Sequence, residues 1–352
     1  MAISLMAAFG VGVLALTCYA LGMTGFLGVA LPYAAIFVFL AGVVWRVVQW
    51  AKLPVPFPIP TTGGQQKSLP WIRRSPLDAP ASKLEVVGRM ILEVALFRSL
   101  FRNTAAEMRM DTPQGPRLIY WSSKWLWVFA LVFHYAFLLI IIRHFRFFFE
   151  PTPFCIQAVE FLDSLMQIGA PRLFMSDVAI VAALAFLLLR RLYDPKLRYI
   201  SLLGDYFPLF LILGVALSGI SLRYFTKVDI ASVKVLTMGL VTFSPTVPAD
   251  IGPAFYVHLA FVSVLLMYFP FSKLMHMGGV FLSPTRNLPT NTREYHHENP
   301  WNGPKKFRTY AEYEDDFRDA MAEAGLPLEK QPEETPEELD EGGDTPEPSP
   351  AK

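Results

Sequence analysis

Residues 121–146 read WSSKWLWVFALVFHYAFLLIIIRHFR, an apolar run that carries His134 and His144 ten residues apart. A transmembrane helix needs about 20 mostly apolar residues, so residues 121–143 qualify, with Trp121, Trp125 and Trp127 at one end as an interfacial belt. Stretches 2–22, 27–50, 173–193, 204–224 and 253–275 qualify by the same rule. The first holds no charge, and no basic residue precedes its apolar run, so a retained helix is expected rather than a cleaved signal. Gly22-Met-Thr-Gly25 is expected to turn tightly into the second, which ends at Trp45, Arg46 and Trp50. The expected fold is an all-α integral membrane protein, a six-helix transmembrane bundle.

Composition agrees. Of 352 residues, 53% are hydrophobic and only 17% charged, against about a quarter charged in soluble domains. That balance excludes a water-soluble enzyme, a disordered chain, a nucleic-acid binder with a dominant basic face and a disulfide scaffold. The net charge of +1 is a sum of unlike parts. Residues 326–352 hold nine acids and six prolines against Lys330 and Lys352, which predicts a disordered acidic tail. The other 325 residues carry 29 basic and 21 acidic groups. The two cysteines, Cys18 and Cys155, are too far apart in sequence for an iron–sulfur, structural zinc or covalent haem motif.

Orientation follows from Lys and Arg in the connections. Segments 51–118, 190–203 and 272–325 hold ten, four and seven; segments 23–26, 143–175 and 223–252 hold none, three and three. The first group is therefore read as cytoplasmic, with both termini inside. The long loop opens with Pro54, Pro56, Pro58, Pro60, Pro70, Pro76 and Pro80, an extended run. Ser82 and Glu85 then form a capping-box pattern ahead of Leu84, Val87, Ile91, Val94, Phe97 and Phe101 at helical spacing. This cytoplasmic amphipathic helix, accompanied by Arg89, Arg98, Arg102 and Arg109, either lies in the inner interface and docks a partner or packs on its own protein. Residues 154–168 form a second amphipathic segment on the outer side, through Phe154, Ile156, Val159, Leu162, Leu165 and Met166. Residues 308–325 read as a small polar helix ending at Gly325-Leu-Pro327. The domains expected are thus 1–50, an N-terminal hairpin; 51–118, the loop; 119–277, a four-helix core; 278–325, a cytoplasmic extension; and 326–352, the tail.

Four of the six histidines fall in or at the end of spans: His134, His144, His258 and His276. An ionisable residue inside a membrane is costly and is a functional candidate by default. Each alone could be a neutral imidazole bonded between helices or a link in a proton relay. Together they form a pattern, because His258 and His276 share the sixth span, eighteen residues apart. At about 100° and 1.5 Å per residue, that step is five turns, placing both on one stripe. The ten-residue step leaves His134 and His144 facing the same side. The third and sixth spans run antiparallel, so His134 is matched with His276 at the inner end, and His144 with His258 at the outer end. Two b-type haems stacked across the membrane, each held by one imidazole from each helix, fit this layout. Straight helices give unequal ligand separations of about 15 and 27 Å. Pro270 cannot donate a helical hydrogen bond, and a bend there is expected to absorb part of the difference.

Arg143 and Arg146 at the outer end and Lys273 at the inner end are candidates to pair with haem propionates, the alternative being interfacial snorkelling. His296 and His297, in Thr292-Arg-Glu-Tyr-His-His-Glu298, are expected to be solvated. Met275 and Met277 read as packing, and the cysteines as inert.

The ten-residue and eighteen-residue histidine pairs, two helices apart, resemble the gamma, cytochrome b subunit of respiratory nitrate reductase over residues 120–277. The extra N-terminal helix and the long loop depart from that subunit. Those departures, with Leu96-Phe-Arg-Ser-Leu-Phe-Arg-Asn103, Tyr268-Phe-Pro-Phe-Ser-Lys-Leu-Met-His276, Ser283-Pro-Thr-Arg-Asn287 and Tyr310-Ala-Glu-Tyr-Glu-Asp-Asp-Phe-Arg318, resemble the DsrM-type membrane cytochromes b of DsrMKJOP complexes across most of the chain. The resemblance implies two haem b groups on His134, His144, His258 and His276, and electron exchange with menaquinone in the prokaryotic cytoplasmic membrane. It implies a cytoplasmic iron–sulfur partner of the DsrK type and, through it, the sulfur carrier DsrC in dissimilatory sulfur metabolism. It also implies a periplasmic multihaem cytochrome c, a periplasmic iron–sulfur subunit and a second quinone-interacting membrane subunit. Such a chain transfers electrons within an oxidoreductase complex and does not act alone on sulfur substrates. Two other readings stand beside it: a transporter or proton channel using a histidine relay, and a structural anchor for partner subunits.

Overall fold

The computed structural model describes residues 1–53, 63–110, 113, 115–165, 167–283, 285–295 and 307–330. Pro54, Pro56, Pro58, Pro60, Met166, His296, His297 and the tail from 331 onward lie outside the described residues. The chain divides into two units, residues 1–297 and 298–352.

The first unit is mostly helical. In chain order its helices are α1 (Ala2–Ala20), α2 (Leu31–Ala51), α3 (Lys83–Leu96), α4 (Arg98–Phe101), α5 (Lys124–His144), α6 (Phe154–Ser164), α7 (Met175–Tyr193), α8 (Pro195–Ile200), α9 (Leu203–Ile220), α10 (Ile230–Val241), α11 (Pro253–Tyr268) and α12 (His276–Gly279). Wider turns at Phe26–Ala30 and Ser221–Phe225 extend α2 and α9. Among the described residues, five helices are long and apolar enough to cross a membrane: Ala2–Ala20, Phe26–Ala51, Lys124–Phe147, Leu203–Phe225 and Pro253–Phe271. The remaining predicted span forms α7, a helix of 19 residues that carries Asp177 in its first turn and Arg190 and Arg191 in its last. Large apolar side chains such as Phe9, Leu14, Phe37 and Leu40 are exposed on these helices. Bare in water that surface would be a liability; against lipid tails it is the favourable one.

Packing places α11 centrally, against α1, α2 and α9, while α5 lies along α7 and α7 along α9. One buried cluster, Ala136, Ile180, Leu184 and Ile212, joins α5, α7 and α9. A second, Leu27, Leu222, Val233, Leu236, Ile251, Phe255 and Tyr256, closes the end of the bundle that bears α10. Asp229 caps α10, its carboxylate accepting from the amides of Ala231 and Ser232, so part of the predicted 223–252 connection is helical. At the opposite end α2 crosses the chain just beyond α11. A Cβ added at Gly42 would lie 2.7 Å from Cβ of the buried Pro270. Gly42→Ala is therefore expected to cost about 1–3 kcal/mol through overpacking, read as a lowered melting temperature in detergent. Gly10→Ala, with nothing within 4 Å, is the control expected to melt as the parent does.

Two short antiparallel ribbons depart from the all-helical expectation. Strands β1 (Thr104–Arg109) and β2 (Arg117–Ser122) pair from Thr104 with Ser122 to Arg109 with Arg117, with Gly115 in the connection at φ +84°. Trp121 thus lies in a strand that ends at Ser122, and the third span begins at Lys124. Strands β3 (Gln167–Ile168) and β4 (Leu173–Phe174) pair between α6 and α7.

The amphipathic loop helix forms as α3. Ser82 Oγ accepts from the Glu85 amide, and the Glu85 carboxylate accepts from the Ala81 amide. The buried Arg89 donates to the carbonyls of Asp78 and Thr285, and the buried Glu93 accepts from Ser99. Arg98 donates to Asp78 and Arg102 pairs with it, and these guanidiniums hold the Asp78 carboxyl below the usual carboxylate range. The helix thus packs one face on its own protein, while Leu84, Val87, Ile91 and Val94 stay exposed. Helix ends leave carbonyls without helical partners. Here Trp127 Nε1 donates to the Leu96 carbonyl at 2.7 Å and Tyr135 Oη to that of Ala95 at 2.8 Å. Phe97 follows in the left-handed region (φ 49°, ψ 48°), an uncommon backbone for a bulky residue.

The second unit contains α13 (Tyr310–Glu323), as the sequence predicts, capped by Thr309 and Glu312 in a reciprocal capping box. Its buried Glu314 accepts from the amides of Glu329 and Lys330.

Candidate functional site

The structure brings the four predicted histidines together as two pairs. His134 and His276 have ring centroids 6.0 Å apart, and His144 and His258 have centroids 6.3 Å apart. These are the pairings that antiparallel spans require. One part of the sequence expectation is corrected: His258 and His276 do not share a continuous helix. The α-helix stops at Tyr268, 3-10 turns follow at Phe269–Phe271 and Lys273–Met275, and Ser272 between them is extended (φ −119°, ψ 176°). Pro270 has no amide to donate, and Ser272 restarts the chain by capping Leu274. His276 therefore opens α12. A broken segment replaces five straight turns, which removes the mismatch between the ten- and eighteen-residue steps.

All four rings are held by a hydrogen bond at Nδ1. Nδ1 of His134 bonds the Ala130 carbonyl at 2.7 Å, and Nδ1 of His144 bonds that of Ile140 at 2.7 Å. Nδ1 of His276 bonds the Lys273 carbonyl at 2.8 Å. A carbonyl can only accept, so each Nδ1 carries the proton and each Nε2 carries a lone pair. His258 Nδ1 bonds Ser218 Oγ at 2.9 Å. The hydroxyl also contacts the Gly214 carbonyl at 2.7 Å, which takes its proton and leaves the oxygen to accept from Nδ1. Fixing one ring nitrogen by a hydrogen bond so that the other can bind metal is the usual arrangement of a ligating histidine.

The spacing fits a metal between each pair. A metal–imidazole bond is about 2.0 Å, and with ring bonds near 1.35 Å the centroid lies about 1.15 Å behind the nitrogen. Two imidazoles on opposite sides of one iron then have centroids about 6.3 Å apart, close to both observed values. Among the described residues no group of three or more His, Cys, Asp and Glu is placed to hold a metal ion, so the protein offers two imidazoles per centre. That matches a ligand set completed by a porphyrin. Phe97 and Phe133 meet the His134 ring edge-on at 4.9 and 5.0 Å. At the other end a Cβ on Gly219 would lie 3.2 Å from His258 Cε1.

The three candidate propionate partners all face carboxylates. Arg146 pairs with Glu160, and Lys273 donates to Asp205 at 2.5 Å. Arg143 is buried, and donates to Asp163 and, at 2.8 Å, to Ser176 Oγ. Around it lies a polar cluster that sequence reading missed. Asp163 from α6 accepts from the Ser176 hydroxyl at 2.6 Å and from its amide at 3.3 Å. Asp177, 3.8 Å from Arg143, accepts from Tyr224 Oη at 2.6 Å. Phe174 is flanked by the guanidiniums of Arg143 at 4.5 Å and Arg223 at 3.9 Å. Three carboxyl and hydroxyl side chains are thus buried beside α5 next to His144: Asp163, Ser176 and Asp177. Besides Arg143, the available signal was Asp177 near the start of a predicted span. Asp163 and Ser176 also line one end of a cleft of about 510 Å³ between α5, α6 and α7, whose walls are otherwise apolar apart from Tyr135 and include Val132, Leu138, Leu139 and Ile142.

Comparison with known proteins agrees with this layout. The profile of the nitrate reductase gamma subunit family matches residues 89–295, from α3 past His276. A relative from Archaeoglobus fulgidus, named Hdr-like menaquinol oxidoreductase cytochrome b-like subunit, is 46% identical over 281 residues, covering 78% of this chain and 82% of the relative. A protein of the same name from Archaeoglobus profundus is 41% identical over 279 residues, covering 77% and 81%. A family match spanning more than half of the residues, and relatives aligned along most of their own length, settle the classification: the chain belongs to the nitrate reductase gamma subunit family.

Proposed function

We propose that this chain is a DsrM-type dihaem cytochrome b subunit that moves electrons between menaquinol and a cytoplasmic iron–sulfur partner. The observation that carries this is the pair of facing histidine couples, each ring bonded through Nδ1, at a separation suited to one iron. The relatives named as menaquinol oxidoreductase cytochrome b-like subunits support the choice of quinol. In this reading α7 crosses the bilayer as a sixth span, its three charges lying in its end turns, and both termini are cytoplasmic. The His134–His276 pair is inner and the His144–His258 pair outer. The domain limits read from the sequence apply, except that the four-helix core begins at Lys124. The exposed apolar stripe of α3, on the inner side, faces either lipid or the iron–sulfur subunit of the DsrK type, through which DsrC would be served.

The residues divide the work. A b-type haem bound at each pair would supply one-electron transfer. His134 with His276, and His144 with His258, would hold the two groups. The apolar cleft takes the isoprenoid quinol at its Asp163 end. Asp163 receives the hydroxyl protons, Ser176 donates to and orients that carboxylate, and Arg143 holds both in place. Arg146 and Lys273, with side chains 36% and 75% exposed, keep donors for propionates, while Arg143 is committed to Asp163. Two quinol protons are released on the outer side as two electrons pass inward.

The test is a haem count and a quinol assay on the purified full chain. About two non-covalent b-type haems per chain, reduced on adding a soluble menaquinol analogue, is the expected result. A colourless protein would overturn the proposal in favour of a histidine-relay transporter.

A further inference from the structure

Three of the four histidines find their Nδ1 acceptor on their own chain segment, a carbonyl three or four residues earlier. His258 does not. Its acceptor is a side chain on a different helix, Ser218 of α9, 40 residues away in sequence. Two neighbouring features make this a fitted arrangement. The Ser218 hydroxyl contacts the Gly214 carbonyl at 2.7 Å and that of Val215 at 3.1 Å, so its hydrogen has acceptors within its own helix. The next residue, Gly219, has no side chain, and a Cβ there would stand 3.2 Å from Cε1 of the imidazole. A hydroxyl that accepts and a missing Cβ that admits the ring lie side by side.

We propose that Ser218 is a positioning residue for His258: it selects the Nδ1-protonated tautomer and tunes the reduction potential of the outer centre alone. This rests on the reading of His144 and His258 as haem ligands. The physical basis is acceptor strength. A hydrogen bond from Nδ1–H raises the basicity of the ligating nitrogen and favours the oxidised metal. Were the serine hydrogen pointed at Nδ1 instead, the proton would sit on Nε2 and no lone pair would face the metal. The Gly214 carbonyl prevents that by claiming the hydroxyl hydrogen. A carbonyl acceptor fixed by helix geometry cannot be varied by substitution; a side-chain acceptor can, and here it serves one centre of the two.

The experiment compares the full chain with Ser218→Ala and Ser218→Thr by haem count and spectroscopic redox titration. The expected result is two haems in each protein. In Ser218→Ala the reduced-to-oxidised ratio of one component should rise about tenfold at fixed ambient potential, in line with the loss of an outer partner at a metal site. The other component should stay in place, and Ser218→Thr should titrate as the parent. Loss of one haem in Ser218→Ala with retention in Ser218→Thr also supports the proposal, through the tautomer. Unchanged titration in Ser218→Ala, equal shifts of both components, or loss of haem in both variants would overturn it while leaving the ligand reading standing. A parent protein without haem would overturn both.

Discussion

Replacing His258 with alanine is expected to lower the haem content from about two per chain to about one and to abolish quinol-driven electron transfer. Replacing His144 should remove the same haem, because the two rings face each other at 6.3 Å and, among the described residues, neither imidazole belongs to a larger group of metal-ligating side chains. His134→Ala and His276→Ala should each remove the other haem. The decisive comparison lies in the double variants. Residues that serve one centre are non-additive, so His144→Ala with His258→Ala should still hold about one haem. His144→Ala with His134→Ala should hold none. The readout is the pyridine haemochrome of the purified proteins, with the remaining centre followed through its reduced α-band. Four single variants that each kept a full complement would show that the histidines are packing residues. Single variants that each lost both haems would point instead to collapse of the bundle, checked by helical content and melting temperature.

The pairing was legible in the sequence because two periodicities coincide there. Length and apolarity mark the spans, and the two helices read between α5 and α11 make that pair antiparallel, which fixes which histidine faces which. The route of the chain to His276 was not legible in full. Pro270 signals a disturbance, but Ser272, where the backbone turns extended, carries no pattern that separates it from a helical serine. The β1–β2 ribbon was missed for a related reason. Its strands are short and mostly exposed, so no alternation of burial was written into the residues. The helix α10 was overlooked because its capping aspartate reads equally well as a loop residue. Nδ1 acceptors that are carbonyls have no sequence signature, since every residue carries one. The buried cluster of Arg143, Asp163, Ser176 and Asp177 draws one residue each from α5 and α6 and two from α7. Arg143 was singled out for a charge at a helix end, which says nothing of its being buried against Asp163. What brings the cluster together is the packing of α6 and α7 on α5, a tertiary fact.

That cluster is where the second large effect is expected. Asp163→Asn should leave both haems bound and fully reducible by dithionite, yet slow their reduction by a menaquinol analogue about 100-fold or more, the range contributed by a positioned proton acceptor. Asparagine keeps the size and the acceptor oxygen for Ser176 but cannot take up a proton at neutral pH. Removing a carboxylate from a buried ion pair normally leaves the partner charge stranded, at a cost of about 3–5 kcal/mol. Here Arg143 retains Asp177 at 3.8 Å and the Ser176 hydroxyl at 2.8 Å, so the bundle should hold. Asp163→Glu, which restores an acid on a longer stem, should recover part of the rate. Val159→Ala, on the apolar wall of the same cleft, tests the other half of the binding site. It should weaken apparent affinity for the quinol with little change in the saturated rate, because burial of a tail contributes equally before and during reaction. A wild-type rate of haem reduction by the menaquinol analogue in Asp163→Asn would remove Asp163 from the proton route. A rate lost together with both haems would mean that the cluster is structural, its two carboxylates serving only to anchor Arg143 at the end of α5.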